Sequence, residues 1–600
     1  MDRRPLARSG YPRRRSVTAC LTCRERKKKC DNVRPTCGFC TQIGARCIYE
    51  SVNASSFDPA SLAIMDRLSV IEGLLRAPSQ TSADSGPLQF AGDHSSSPLL
   101  TSISGVDPHC KLNANNVLRW PVFAEIAASL PQFSFRDSQG NRVVSYIDSC
   151  FDKRSLEGGQ SSHMQSTSDQ VSTDPVVIEG LVDSFFQRVH AKNPILNREL
   201  ISSYCQEYCA LGPCYDDKTC LVLVICALGA VATNYVYEES IEQDNAERAE
   251  SLRLGNCYFE AAQRRLGIVI SRPGIISAQC LCLAGIYHMY VIEPISALHM
   301  FHTAGTSIKL AQDINDTTVE SQQSLFWACL KSERELLVEL PIISPALTEY
   351  PPYHHYPSPP AQPASTHQPS EWTTLERDSW YYLLSEIALR RITDKICEHT
   401  VHSVPTDHFT TPSSASAKSL LALLPLTTEL ETQVRLWRDS LPTPMQFPDY
   451  PLPAATEWQH FSRSRYHLVL TLLYRPFLCF AIHAATTNTH NNPNPNPIIP
   501  LVISTLASRG LENVVTYILH GRITHRHHGR WFQMRNQFVS TCLLLAAARS
   551  GGVEMPRGWY GAVEKMYAAL RFWEMESAAF GAYRGVLEVL DQGWVGGERG

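Results

Sequence analysis

The sequence predicts a small metal-stabilised module at the N-terminus, a short coiled coil and a large all-α domain, joined by disordered linkers. Six cysteines crowd into positions 20–47, apolar residues recur at helical spacing from Val177 onward, and polar Ser/Pro/Gly-rich stretches lie between. These features divide the 600 residues into a basic arm (1–19), a cysteine module (20–47), a linker (48–57), a dimerisation helix (58–77), a mostly disordered linker (78–176) and an all-α domain (177–592).

The cysteines fall in the order Cys20-x₂-Cys23-x₆-Cys30-x₆-Cys37-x₂-Cys40-x₆-Cys47. Disulfides need an oxidising compartment, but the chain begins MDRRPLARSGYPRRR, which has no apolar leader. The other 14 cysteines are scattered, as thiols are in reduced compartments. Zinc fits best, because thiolates are its preferred soft ligands and structural sites are tetrahedral. Six ligands are too many for one tetrahedral ion and too few for two independent ones. Two ions are satisfied if two of the six thiolates bridge. A segment this short has almost no apolar core, so metal binding must stabilise it, by roughly 10–16 kcal/mol per structural zinc.

The segment resembles the fungal zinc binuclear cluster (Zn₂Cys₆) DNA-binding domain, both in its cysteine spacing and in the run Cys20-Leu-Thr-Cys-Arg-Glu-Arg-Lys-Lys-Lys-Cys-Asp31. Pro35, ahead of the fourth cysteine, matches that family too. The resemblance implies two zinc ions per chain, with Cys20 and Cys37 as the bridging ligands.

Residues 1–47 hold 13 Lys and Arg against three acidic residues, whereas the whole chain carries a net charge of −4. A strongly basic end on a mildly acidic protein is the electrostatic footprint of a nucleic-acid-binding arm. The basic run is pinned between metal ligands, which predicts a short rigid helix able to enter a major groove of double-stranded DNA. Lys27 is the expected base-edge contact, since Lys and Arg match the acceptors on guanine. The family resemblance implies the same position, reading CGG-type triplets. Arg26 is the expected second base or phosphate contact. Arg24, Lys29 and Arg34 are expected to position the module on phosphates, and Arg13, Arg14 and Arg15 to add non-specific affinity or nuclear import.

One such module covers only about three base pairs. Asp58-Pro59 reads as a helix N-cap followed by proline at the first helical position. Ile64, Leu68, Ile71 and Leu75 then follow at steps of four, three and four, the seam of a coiled coil that Pro78 ends. The resemblance implies a parallel coiled coil here and hence a homodimer.

Within the all-α domain, Trp380, Leu383, Leu384, Ile387, Ala388 and Arg391 form a helical stripe, and Cys220–Tyr235 and Gln279–Tyr290 contain others. The apolar run Leu221–Ala232 is too short to span a bilayer and reads as a buried core helix. The region resembles the fungal-specific transcription factor (middle homology) domain over roughly 178–592. The resemblance rests on Phe185-Phe186 through Pro194, Phe326-Trp327 through Pro341, Trp380–Ile392, Trp437–Pro442, Tyr474–Phe477 and His525–Trp531. Stretches near 350–372 and 485–500 are Pro/His/Ser- or Asn/Pro-rich and are expected to be mobile insertions.

Cys205, Cys209, Cys214 and Cys220 lack a CxxC pair and read as ordinary thiols. His520, His525, His527 and His528 read as a packing cluster or a polar helix start. No GxGxxG, P-loop or GxSxG motif offers an enzyme site. The expected function is that of a nuclear, zinc-dependent, sequence-specific regulator of RNA polymerase II genes, acting as a homodimer on a metabolic pathway or specialised-metabolite gene cluster. It has no catalytic residues and no membrane partner, and its helical domain answers to a small-molecule effector or a coregulator. The alternative is a metabolite-sensing repressor or an architectural DNA-binding protein without activation capacity.

Overall fold

The computed structural model describes residues 20, 22–23, 26, 28, 30–31, 36–47, 117–118, 120–123, 126, 171–237, 245–314, 320–340, 343–347, 356–360, 371–403, 413–486 and 499–592. The chain divides into two compact units, residues 1–78 and 79–600. The proposed dimer seam Ile64, Leu68, Ile71 and Leu75 lies outside the described residues, as does the basic arm.

The first unit is built on sulfur. Its one described helix, α1 (Gly38–Gln42), starts at Cys37, and the sulfurs of Cys20, Cys23, Cys37 and Cys40 form its core. The CxxCx₆C repeat is visible in the backbone. Cys23 N–H donates to Cys20 Sγ and Cys40 N–H to Cys37 Sγ, both at 3.4 Å. Lys28 N–H to Cys23 O and Ala45 N–H to Cys40 O, both 3.0 Å, are likewise equivalent.

The second unit is helical, with no strand among the described residues. It comprises α2 (Pro175–Arg188), α3 (Arg198–Leu211), α4 (Asp217–Val231), α5 (Asn245–Ser271), α6 (Ile275–Tyr290), α7 (Pro294–Ile314), α8 (Glu320–Glu339), α9 (Glu371–Ser403), α10 (Ser414–Ala422), α11 (Leu424–Asp439), α12 (Glu457–Thr486), α13 (Leu501–His520), α14 (Arg530–Ser550), α15 (Trp559–Glu574) and α16 (Ala578–Gln592). Side-chain oxygens set several starts. Asp174 accepts from Val176 N ahead of Pro175, Asn197 from Leu200 N, and Asp216 from Thr219 N. Neighbours in sequence pack as pairs, α4 on α5, α6 on α7 and α12 on α13, and α4 also lies against α2 and α6. The α2–α4 crossing is close. A Cβ on Gly229 would stand 2.0 Å from Leu181 O, and Ser184 Oγ donates to Gly229 O.

The all-α expectation is met, with local corrections. Helix α4 is buried on every side, as read from its apolar run. The Trp380 stripe is wider than a stripe, because Tyr381, Tyr382, Ser385, Glu386 and Leu389 of α9 are buried too. The helix is enclosed, so its burial does not follow one face. Within the interval read as linker, Val117, Leu118, Trp120, Val122 and Phe123 join the helical core. Within the expected insertion near 350–372, Tyr356 stacks on Trp327 at 5.1 Å and Trp380 Nε1 donates to Pro357 O. The long apolar helix that sequence reading passed over is α12. By length and composition it could cross a membrane, but 83% of its most apolar stretch is buried inside the domain.

Burial holds His190 and His467 to about 4 and His520 to about 3, below the ordinary 6.5. A histidine depressed on folding takes up its proton more readily in the unfolded chain. Its stabilising contribution is therefore full above 6.5 and is lost as pH falls towards the folded value. Glu457 acts in a lower window. Burial pushes its carboxyl up, but Lys192 and His525 hold it to about 2, so its contribution is lost between 4.5 and 2. The urea midpoint of the helical unit should fall as pH is lowered from about 7 to about 4.5, and His467→Asn should flatten that slope. An unchanged slope in the variant would contradict this origin.

Candidate metal centre

All six predicted ligands are among the described residues and converge. The sulfurs of Cys20, Cys23, Cys30 and Cys37 lie within 4.8 Å of one another, and so do those of Cys20, Cys37, Cys40 and Cys47. Two four-sulfur groups thus share Cys20 and Cys37. A tetrahedral zinc with Zn–S bonds of about 2.3 Å needs S–S edges of about 3.8 Å. Cys20 and Cys37 stand 3.8 Å apart, Cys20 and Cys40 3.6 Å, and Cys23 and Cys37 3.6 Å. The donor set and spacing fit zinc.

Electrostatics split the thiols into two kinds. Burial pushes the Cys20, Cys23 and Cys40 thiols up, Cys40 to about 12, so they resist ionising without a compensating cation. The Cys40 backbone N–H pulls Cys37 down, and the Cys37 N–H does the same for Cys47, at N–S distances of 3.4 Å. Ligation requires thiolates, so metal uptake releases protons.

Around the sulfurs, short-range bonds close the module. Thr22 Oγ1 donates to Arg46 O at 2.7 Å, joining the first half to the last turn. Asp31 accepts from Gly38 N–H through both carboxylate oxygens, at 3.1 and 2.9 Å. A Cβ on residue 38 would meet Asp31 Oδ2 at 2.6 Å, so glycine lets the carboxylate reach the start of α1. Sequence reading quoted Asp31 as part of a signature and missed this role; its signal was the Asp directly after the third cysteine.

Residues 18–53 match the fungal Zn(2)-Cys(6) binuclear cluster domain, and residues 182–329 match the fungal specific transcription factor domain. The chain belongs to the fungal Zn(2)-Cys(6) transcription factors. It is 27% identical over 292 residues to the putative transcription factor ecdB of Aspergillus rugulosus, covering 48% of this chain and 45% of that protein. It is 21% identical over 584 residues to the nitrogen assimilation transcription factor nit-4 of Neurospora crassa, covering 87% and 52% respectively. With the C6 finger domain transcription factor hasF of Aspergillus fumigatus it shares 42% identity over 57 residues, 10% of this chain and 8% of that one. The chain spans about half the length of the first two of these relatives. No solved structure matches.

Of the residues expected to touch DNA, Arg26 is described and is exposed; Arg24, Lys27, Lys29 and Arg34 lie outside the described residues. Lys28 is exposed too, and sequence reading left it out of the named contacts, although it stands in the same basic run. The motifs of the helical domain are structural ties. Glu333 accepts from the N–H groups of Ala346 and Leu347, Glu335 pairs with Arg465, and Glu339 with Arg535 at 2.6 Å. Trp437 Nε1 donates to Ser385 O. The histidine cluster is part of the packing: His525 lies 2.8 Å from Glu457, which also holds the buried Lys192 at 2.8 Å. Of the four cysteines set aside as thiols, Cys220 is buried and donates to Ala262 O.

Removing one cap from a module this small is costly. Asp31→Ala should weaken the metal-loaded form by about 1 kcal/mol, seen as faster zinc transfer from the full chain to a chromogenic chelator. Unchanged transfer would mean that the carboxylate contributes nothing to the fold of the cluster.

Proposed function

We propose that the protein is a nuclear, zinc-dependent regulator that binds double-stranded DNA sequence-specifically, with two zinc ions per chain shared through Cys20 and Cys37. The observation that carries this reading is the pair of four-sulfur groups with two common members, flanked by exposed Arg26 and Lys28. A cluster of this kind makes a rigid mount for a basic segment, and cations on such a mount can meet both phosphates and guanine acceptors.

In this reading Lys27 takes the base edge of a CGG-type triplet, Arg26 the adjoining base or phosphate, and Arg24, Lys29 and Arg34 the backbone. The seam Ile64, Leu68, Ile71 and Leu75 joins two chains into a homodimer, since one triplet is too short an address for specific binding. The targets are RNA polymerase II genes of a metabolic pathway or specialised-metabolite cluster. Support for a metabolic role comes from a relative named for nitrogen assimilation. The enzyme reading has no motif behind it.

In vitro selection of DNA bound by the full chain should return paired CGG-type triplets at a fixed spacing. Lys27→Ala should abolish discrimination among triplets, whereas Arg13→Ala should weaken binding on all sequences and reduce its salt dependence. Equal losses on all sequences in both variants would overturn the assignment of Lys27. Leu68→Asp should turn the dimer into a monomer in sedimentation and reduce the selected site to one triplet; an unaltered dimer would remove the seam from the reading.

A further inference from the structure

We propose that the helical domain contains a buried binding site for a small organic carboxylate, enclosed by α8, α9, α12 and α14. Two adjoining cavities of about 60 and 40 Å³ share the walls Arg465, Leu468, Phe532 and Asn536. A water molecule needs about 10–15 Å³ by the same measure, so together they admit an acid of a few carbons.

Several buried polar atoms at this site have no hydrogen-bond partner among the described residues. Lys331 is 5% exposed, and its Nζ makes no hydrogen bond among the described residues; Glu386 Oε2 stands 3.7 Å away. His460 is 1% exposed, and neither of its ring nitrogens has a partner among the described residues. Gln533 Nε2 and His528 Nδ1 are likewise unpartnered. Leaving such groups dry is costly, and a charged group most of all, so the site calls for something that accepts from the Lys331 ammonium and from the one N–H of the neutral His460 ring.

Charge selects the class of acceptor. The carboxylates that line the cavities are engaged: Glu335 pairs with Arg465, Glu339 with Arg535, and Glu386 Oε2 is shared between Arg465 at 3.5 Å and Lys331 at 3.7 Å. On the histidine side Lys192, Lys331, Arg463, Arg465, Arg522 and Arg530 all bear on the rings of His460, His527 and His528, with Glu457 opposing them. Burial first, and these cations second, keep the three rings neutral. An ionised carboxylate between Lys331 and His460 would supply the missing acceptor oxygens and a compensating charge. The apolar walls Leu468, Leu472, Val469 and Phe532 suit a short carbon skeleton better than an inorganic ion. The site lies wholly in the helical unit and is independent of the cysteine module.

The test is calorimetric titration of the full, zinc-loaded chain with acetate, succinate and citrate, and with inorganic phosphate at equal ionic strength. At least one carboxylate should bind saturably and phosphate should bind at least tenfold more weakly. Lys331→Met and His460→Phe should each weaken that carboxylate at least tenfold. The second variant keeps the test open if the first fails to fold, because His460 gives up no hydrogen bond. The proposal is overturned if no carboxylate binds saturably, the outcome expected if buried water alone serves these donors. It is also overturned if phosphate binds equally well or if a folded variant binds like the parent chain.

Discussion

Everything in the N-terminal module depends on two sulfurs being common to both halves. Cys20 and Cys37 each belong to both four-sulfur groups, so neither half can form without the other. Among the described residues of the unit the buried core is four cysteines. Metal–thiolate bonds must therefore take the place that hydrophobic burial holds in larger domains. The backbone answers to the same pair. Their N–H···S donors, the Asp31 cap on Gly38 and the Thr22 bond to Arg46 all orient strands of chain that the sulfurs bring together.

The helical domain solves a different problem. Its size lets it bury whole helices such as α4, and with them a set of charges that a smaller domain could not enclose. Those charges are tied across the chain: Lys192 to Glu457, Glu335 to Arg465, Glu339 to Arg535, and Arg248 and Arg526 to Glu576. Buried pairs of this kind contribute little net stability relative to apolar packing, but breaking one strands a charge. They make the relative placement of α8, α12 and α14 strict, and strict placement is what a small internal cavity with fixed donors requires.

Some of this was legible in the residues and some was not. The grouping of Cys20, Cys23, Cys30, Cys37, Cys40 and Cys47 could be expected from the spacing, because metal ligation tolerates few residue types and fixes their intervals. Helices α4 and α6 could be read from apolar runs of helical length. The enclosure of α9 could not, since periodicity reports one buried face and α9 has several neighbours. Val117, Leu118, Trp120, Val122 and Phe123 were passed over, because a short apolar segment docking from a long connection leaves little periodic mark. The pairings of Lys192 with Glu457 and of Glu335 with Arg465 span 265 and 130 residues, and one sequence holds no sign of such partners. Asp31 lay between these cases: its position was visible, but its acceptance of the Gly38 N–H depends on a loop geometry that spacing does not encode.

The most direct test of the shared-thiolate centre is the number of zinc ions per chain, measured by elemental analysis and native mass spectrometry on the full chain and on Cys37→Ala. Sharing predicts two ions in the parent chain and, because both ions use Cys37, the loss of both together in the variant. One ion in the parent chain, or a variant that keeps one ion as tightly as the parent, would contradict it.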